Sequence, residues 1–280
     1  MRFFNFIVLT VLMFGCTHTD LGSGDFEKLE RETGGRIGVS VLDIRTGKRI
    51  LYRSGERFPF CSTFKTIAVA TALKHGDLST RLTFTSDDVK KAGYAPITTK
   101  FVDRGMTVSE LSEAAIQYSD NAAVNILMRN LGGLQAVNTF AREIGDEVFQ
   151  LDRWEPELNS AEPLDKRDTT TPDAMTGSVH KILLGDALAA FARDLLLSWH
   201  IGNTTGDKRI RAGLPKGWTA AEKTGTCSHG TTNDAGVIWR PDGSPIVLTI
   251  YLTGRAKDAK PDDAAVARAT QIIVEKLGAL

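Results

Sequence analysis

Residues 59–67 read Pro-Phe-Cys-Ser-Thr-Phe-Lys-Thr-Ile, and the apolar run Ile67-Ala68-Val69-Ala70 overlaps their end. The run predicts a helix with Ser62 in its first turn and Lys65 one turn on, on the same face. An amine then lies beside a hydroxyl, at the helix end where unpaired backbone N–H groups gather. A serine hydroxyl is a weak nucleophile near neutral pH and needs a neighbour to take its proton. Alone, the Ser-x-x-Lys spacing is better explained by a helix cap beside a solvated lysine, because so short a pattern arises often by chance. Partner motifs elsewhere must decide.

The chain has 280 residues, 42% of them hydrophobic, enough for one large or two modest domains with a real core. Thirty-four basic residues balance thirty-four acidic ones. No basic run stands out, which argues against a nucleic-acid partner. Arg2 precedes an almost wholly apolar segment, 3–15, broken by Asn5 and Thr10. It is too short to span a bilayer and reads as a signal peptide within residues 1–20. Gly15-Cys16 also has the form of a lipoprotein junction, although Met13 and Phe14 suit one poorly. A lipid anchor at Cys16 and plain cleavage just beyond it are both carried forward. Either route predicts a periplasmic or secreted protein without a membrane span. Two further cysteines, Cys61 and Cys227, then sit in a compartment that permits disulfides, as free thiols or as a bridge.

In chain order, residues 25–33 read as a helix stopped by Gly34-Gly35. A hairpin follows, 36–44 and 49–52, about the Thr46-Gly47 turn. The Ser62 helix ends near His75-Gly76, and 77–106 looks irregular, with a loop at Gly93-Tyr94-Ala95-Pro96. Thr107-Val-Ser-Glu110 has the form of a capping box, and helical segments run on to Ile144. Tyr118-Ser119-Asp120-Asn121 and Gly132-Gly133 interrupt them. Residues 152–173 form a long polar stretch without periodicity, and loops of that length are usually functional. Helices at 175–184 and 187–199 precede three strand-like segments, 220–226, 235–239 and 246–252, and a closing helix at 262–277. The expected architecture is α+β and two-lobed. Residues 21–57 and 203–280 form an antiparallel sheet flanked by terminal helices. Residues 58–202 form an inserted all-helical lobe carrying Ser62, Ser119 and the Glu155 loop.

Three further motifs join Ser62-x-x-Lys65: Ser119-Asp120-Asn121 between two helices, Glu155-Pro-Glu-Leu-Asn159 in the long loop, and Lys223-Thr-Gly-Thr226 on a strand. Each is weak alone. All four, in this order over nearly the whole chain after residue 20, resemble the class A serine β-lactamases. The resemblance implies that Ser62 forms an acyl-enzyme with a β-lactam, with Lys65 and Glu155 both candidates for the base. Glu155 and Asn159 would activate the deacylating water, and Ser119 would relay a proton to the leaving nitrogen. Asn121 would bind the substrate's side-chain amide, with Asp120 ordering the turn.

Lys223, Thr224 and Thr226 would receive the substrate carboxylate, since a cation with hydroxyl donors suits an anion. The backbone N–H groups of Ser62 and Thr226 would form the oxyanion hole. Tyr94 matches an aromatic residue flanking the cleft, or is a packed loop aromatic. Many members carry an arginine where this chain has Thr232; Arg209 matches an alternative placement, and a solvated helix-end charge is its second reading. A cis bond is implied at Glu155-Pro156, and Arg153 with Asp168 would tie the ends of the loop. A Cys61–Cys227 bridge, with Thr226, is similar to the disulfide-bridged carbapenemase-type branch. His229 lies near the cleft edge, where it would meet substrate or simply pack.

No cofactor or metal is implied, because the five histidines show no ligand spacing. A monomer with a small-molecule partner is expected. Two rivals share the Ser-x-x-Lys, Ser-x-Asn and Lys-Thr-Gly motifs: a penicillin-binding carboxypeptidase or transpeptidase, and a non-catalytic β-lactam sensor domain. Glu155 with Asn159 argues against the first, and the expected lack of a membrane span against the second.

Overall fold

The computed structural model describes residues 23–278, so the expected targeting segment and Cys16 lie outside the described residues. Helix α1 (Ser23–Thr33) leads into β1 (Arg36–Asp43), which pairs antiparallel with β2 (Arg49–Tyr52), as the sequence predicts. After the short β3 (Phe58–Pro59) come a 3-10 turn at Cys61–Phe64 and then α2 (Lys65–His75). Ser62 thus sits in the tight turn ahead of the α-helix, not in its first α-helical turn. Cys61 takes a left-handed φ of 49°, which a regular right-handed helix excludes, so α-helical geometry begins downstream.

The stretch expected to be irregular holds β4 (Arg81–Leu82), α3 (Ser86–Ala92), a 3-10 turn at Thr98–Phe101 and β5 (Met106–Thr107). Helix α3 is too short for an apolar period to show. Its start is set by a capping box between Thr85 and Asp88. The predicted capping box at Thr107 and Glu110 opens α4 (Val108–Gln117). Asp120 caps α5 (Asn121–Asn130), and α6 (Leu134–Glu143) follows the double glycine. The long loop holds a 3-10 turn at Glu157–Ser160, β6 (Thr169–Thr170) and the implied cis Glu155–Pro156 bond. It ends at Thr171, whose side chain caps α7 (Pro172–Leu183) with proline in the first turn. Next come α8 (Ala190–Ile201), the unforeseen short α9 (Ile210–Gly213), β7 (Thr219–Cys227), β8 (Thr231–Trp239), β9 (Pro245–Thr253) and α10 (Asp263–Gly278).

The main sheet runs β2-β1-β9-β8-β7, antiparallel throughout, so the α+β expectation holds. On one face, Val39, Ile250 and Val266 join a core with Phe26 of α1. On the other, Val237 and Tyr251 belong to the larger core that holds Ile67, Leu127 and Val179. Helix α2 is buried continuously from Lys65 to Leu73, so it carries its lysine into the interior. A helix covered on all sides belongs to a protein core, and an ammonium there requires dedicated partners.

Strand β7 is an edge of this sheet, and the nucleophile turn packs onto it at Gly225. A Cβ there would lie 2.8 Å from Phe60 O and 3.2 Å from Ser62 N. Two more tethers fix the turn: Asn233 Nδ2 donates to Pro59 O at 2.7 Å, and Cys61 is disulfide-bonded to Cys227. Gly225→Ala should therefore push β7 and the turn apart, costing about 1–3 kcal/mol and lowering Tm. Gly24→Ala, where nothing lies within 4 Å, should cost nothing; equal Tm values for the two variants would refute this account.

Candidate active site

A cleft of about 450 Å3 is lined by Ser62, Ser119, Asn121, Asn159, Thr224 and Thr226. All four sequence motifs thus contribute to one concave surface, and Tyr94 and Arg209 also border it. A larger cavity of about 720 Å3 lies behind the long loop, against Asn125 and Trp154. It contains no nucleophile, so the chemistry points to the smaller cleft.

Ser62 Oγ donates to Glu155 Oε1 at 3.3 Å. The same carboxylate oxygen is 3.2 Å from Lys65 Nζ, and neither Lys65 nor Glu155 exposes its side chain. Lys65 Nζ also donates to Ser119 O at 2.7 Å and Asn121 Oδ1 at 2.6 Å. Ammonium donors matched to acceptors offset the cost of burying a charge. Burial pulls the Lys65 ammonium below its usual range, and the Glu155 carboxylate opposes that pull.

Glu155 is held at both ends of its own residue. Asn125 Nδ2 donates to Glu155 O at 2.8 Å, and Glu155 N donates to Asn125 Oδ1 at 3.2 Å. Asn159 Nδ2 donates to the second carboxylate oxygen, Oε2. Further along, Arg153 Nε meets Asp168 Oδ2 at 2.5 Å, and Asp168 Oδ1 accepts the backbone N–H groups of Asp152 and Arg153. Asp168 is 1% exposed, so this is a buried clasp and not an ordinary surface pair. Burial raises the Asp168 pKa against those stabilising donors.

Ser119 sits between two lysines. Its Oγ accepts from Lys223 Nζ at 3.0 Å and lies 3.4 Å from Lys65 Nζ. Its φ is 56°, a conformation costing an L residue roughly 1–2 kcal/mol. Asp120 over-determines that turn: its carboxylate accepts Ile97 N, Thr98 N and Ala123 N, each at 2.9 Å, plus the Thr98 hydroxyl. It orders structure and is itself fully buried. The Asn121 side chain holds Lys65 and, through Nδ2, Ala92 O at 3.2 Å. Burial, then the charge of Lys65, pushes the Lys223 pKa well below the lysine range.

At the opposite wall, Arg209 is buried beneath β7. Its NH2 group donates to Thr226 Oγ1 at 2.7 Å, and its NH1 group to Gly225 O and Asn233 O. It is a buried fixture of the cleft, not a solvated charge. Thr232 Oγ1 accepts from Asp262 N at 2.9 Å and anchors the approach to α10. Tyr94 is 58% exposed, while its backbone carbonyl accepts Asn121 N. It therefore flanks the cleft and is not a packed aromatic. The His229 ring lies outside this set, with Nδ1 3.3 Å from Arg255 O.

Sequence reasoning missed four residues here. Asn125 fixes Glu155, Asn233 fixes the nucleophile turn, Thr205 meets the Thr224 hydroxyl at 2.5 Å, and Asp263 Oδ1 accepts Arg209 Nε at 2.7 Å. Asn125 follows the Ser119 motif on the same helix and could have been suspected. Asp263 had no local signal, because its partner lies 54 positions away.

The profile of the Beta-lactamase enzyme family matches residues 23–277. A β-lactamase of Citrobacter koseri is 48% identical over 252 residues, covering 89% of this chain and 86% of that protein. The carbapenem-hydrolyzing beta-lactamase KPC of Klebsiella oxytoca is 46% identical over 264 residues, covering 93% and 90%. Among solved structures, the β-lactamase of Streptomyces albus G superposes with a TM-score of 0.89 at 47% identity, covering 91% of this chain and 98% of that one. A variant of the class A β-lactamase of the last common ancestor of Gram-negative bacteria has the same TM-score at 49% identity, covering 92% and 98%.

Proposed function

The chain belongs to the class A branch of the beta-lactamase enzyme family, and on that premise we propose how its residues hydrolyse the β-lactam amide. Ser62 Oγ attacks the lactam carbonyl while Glu155 accepts its proton. Lys65 pairs with Glu155 and donates to two further acceptors, the pattern of an ammonium. It has no lone pair for the serine proton in that state, and instead places positive charge beside the site. The N–H groups of Ser62 and Thr226 receive the developing oxyanion, each such donor being worth about 3 kcal/mol in other enzymes. As the C–N bond breaks, Ser119 passes its proton to the lactam nitrogen and regains one from Lys65, which takes up the proton that Glu155 had accepted, so Glu155 is a carboxylate again before deacylation. A water held by Glu155 and Asn159 then attacks the ester, Glu155 takes its proton, and Ser62 leaves with one regained.

Lys223, Thr224, Thr226 and Arg209 supply the cationic and hydroxyl surface for the substrate carboxylate, and Asn121 and Tyr94 border the acyl side. The observation carrying this reading is the approach of Glu155 Oε1 to within 3.3 Å of Ser62 Oγ. A penicillin-binding carboxypeptidase or transpeptidase, or a sensor domain, keeps its β-lactam adduct and so has no use for a carboxylate placed to hydrolyse it, and that approach counts against both. The Cys61–Cys227 bridge and the likeness to a relative named for carbapenem hydrolysis support carbapenems as substrates. Export and a monomeric state complete the proposal.

With a chromogenic cephalosporin, the native protein should turn over while Glu155→Ala, in which Lys65 loses its carboxylate partner and can shed a proton to serve as the base for Ser62, acylates and stalls, its steady-state rate down roughly 10³-fold. Equal rates would remove Glu155 from the mechanism, and a stable adduct on the native protein would restore the transpeptidase or sensor reading. Imipenem should be consumed well beyond one equivalent; a reaction stopping there would withdraw the carbapenem claim. Lys223 loses its charge as pH rises, earlier than an ordinary lysine near ~10.4, because burial and Lys65 depress its pKa. KM for carboxylate-bearing β-lactams should therefore climb on the alkaline side, and Lys223→Arg, which stays charged, should flatten that climb. A native KM constant up to the ordinary lysine range would contradict this.

A further inference from the structure

Helix α2 carries two buried threonines, Thr66 and Thr71, each 1% exposed. Thr71 does what an enclosed helical threonine ordinarily does: its Oγ1 donates to Ile67 O, four positions back, at 2.8 Å. Thr270 of α10 does the same to Val266 O at 3.0 Å. Thr66 breaks the pattern. The carbonyl four positions behind it belongs to Ser62, yet its hydroxyl meets His200 Nε2 at 2.9 Å.

His200 lies in the last turn of α8, fully buried and outside the lining of the cleft. Its Nδ1 is 2.8 Å from Leu196 O. A carbonyl only accepts, so Nδ1 carries the ring proton, and in the neutral ring Nε2 is left as an acceptor. Thr66 is then the donor. Burial, helped by the charge of Lys223 and opposed by the bond to Leu196, pulls the His200 pKa down to about 4, so the ring is neutral near pH 7. The backbone behind the ring is fixed as well: Arg211 NH2 donates to His200 O at 3.3 Å while pairing with Glu222 of β7 at 3.0 Å.

The Ser62 carbonyl already accepts the Lys65 N–H where the 3-10 turn passes into α2. A hydroxyl bonding there as well would compete for that oxygen and bend the start of the helix. Ser62 Oγ and Lys65 Nζ stand 3.3 Å and 3.2 Å from the same oxygen of Glu155. A bend between them displaces the nucleophile against its base. We propose that His200 is a positioning residue: by accepting the Thr66 hydroxyl, it keeps that hydroxyl off the Ser62 carbonyl and holds the nucleophile turn in its reactive geometry. This rests on the hydrolase reading of the cleft.

Rapid mixing with a chromogenic cephalosporin separates the acylation rate constant from the dissociation constant of the non-covalent complex. His200→Asn keeps an amide in place of Nδ1 but is too short to reach Thr66, whereas His200→Gln puts an oxygen where Nε2 stood. His200→Asn should acylate about tenfold more slowly, with the dissociation constant within about twofold of native, because displacing a reacting group costs rate and leaves the binding groups in place. His200→Gln should stay within about threefold of the native rate, its acceptor being restored. Adding Thr66→Val to His200→Asn should return most of the lost rate, since the stray hydroxyl is gone; a merely structural role predicts that the second core change slows the enzyme further. On the native protein, nitrogen NMR of the imidazoles should find the His200 proton on Nδ1. A proton on Nε2, a native rate in His200→Asn, equal losses in the Asn and Gln variants, or a double variant slower than His200→Asn would each overturn the proposal. Failure of the native protein to turn over the cephalosporin at all would overturn the hydrolase reading, and the role of His200 with it.

Discussion

The buried contact between Lys65 and Glu155, 3.2 Å apart with neither side chain exposed, is the constraint around which the site is built. Removing two charges from water costs several kcal/mol per ion, and their attraction repays it only with good geometry and further hydrogen bonds. Those bonds come from distant parts of the chain: Ser119 O and Asn121 Oδ1 from the junction of α4 and α5, Asn159 from the long loop, and Ser62 from the turn before α2. Satisfying the pair therefore fixes the mutual positions of three segments. The geometry of the nucleophile follows from meeting the needs of a buried charge.

A second buried cation gives the cleft its polarity. Lys223 and Lys65 both reach Ser119 Oγ, and the positive charge of Lys65 adds to burial in depressing Lys223. The neighbouring carboxyls give Lys223 limited relief. Burial, and after it the charge of Glu222, raises the Asp234 pKa well above the carboxylate range, and its Oδ1 has no hydrogen-bond partner among the described residues. Arg209 is paired with Asp263, so Lys223 is the cation beside the cleft with little carboxylate support. A carboxylate-bearing substrate, and still more an oxyanion forming on it, would supply what is missing, and fixed donors need no rearrangement to meet it.

Much of this was legible in the sequence where signals were local. The capping box at Thr107 and Glu110, the glycine stops and the strand alternation at 36–44 each depend on residues a few positions apart, and each formed as read. The four motifs, short but specific in combination, meet in one cleft. Missed features were those whose cause is remote or whose element is brief. Helix α3 is too short for periodicity, and the 3-10 turn at Ser62 reflects the left-handed Cys61 and its packing on Gly225. Asp263 reaches Arg209 only because α10 folds back along the sheet. Supporting residues leave a weak trace because their partners are set by tertiary structure.

The long loop combines two different strengths of attachment, and their placement matters more than their sum. Near its ends it is fastened by buried, multiply bonded contacts: the Asn125 pair on the Glu155 backbone, and Arg153 with Asp168. Its middle meets the rest of the molecule through largely solvent-exposed charges, such as Lys257 on Glu162. In the proposed mechanism Glu155 must keep its distance to Ser62 within a few tenths of an ångström, because proton transfer depends on hydrogen-bond reach. A wall that admits an acyl side chain has no such demand. Buried anchors beside Glu155 and exposed ones further along hold the two parts of the loop by separate contacts. A loop fastened uniformly tightly would join those two parts, and any change in one would then disturb the other.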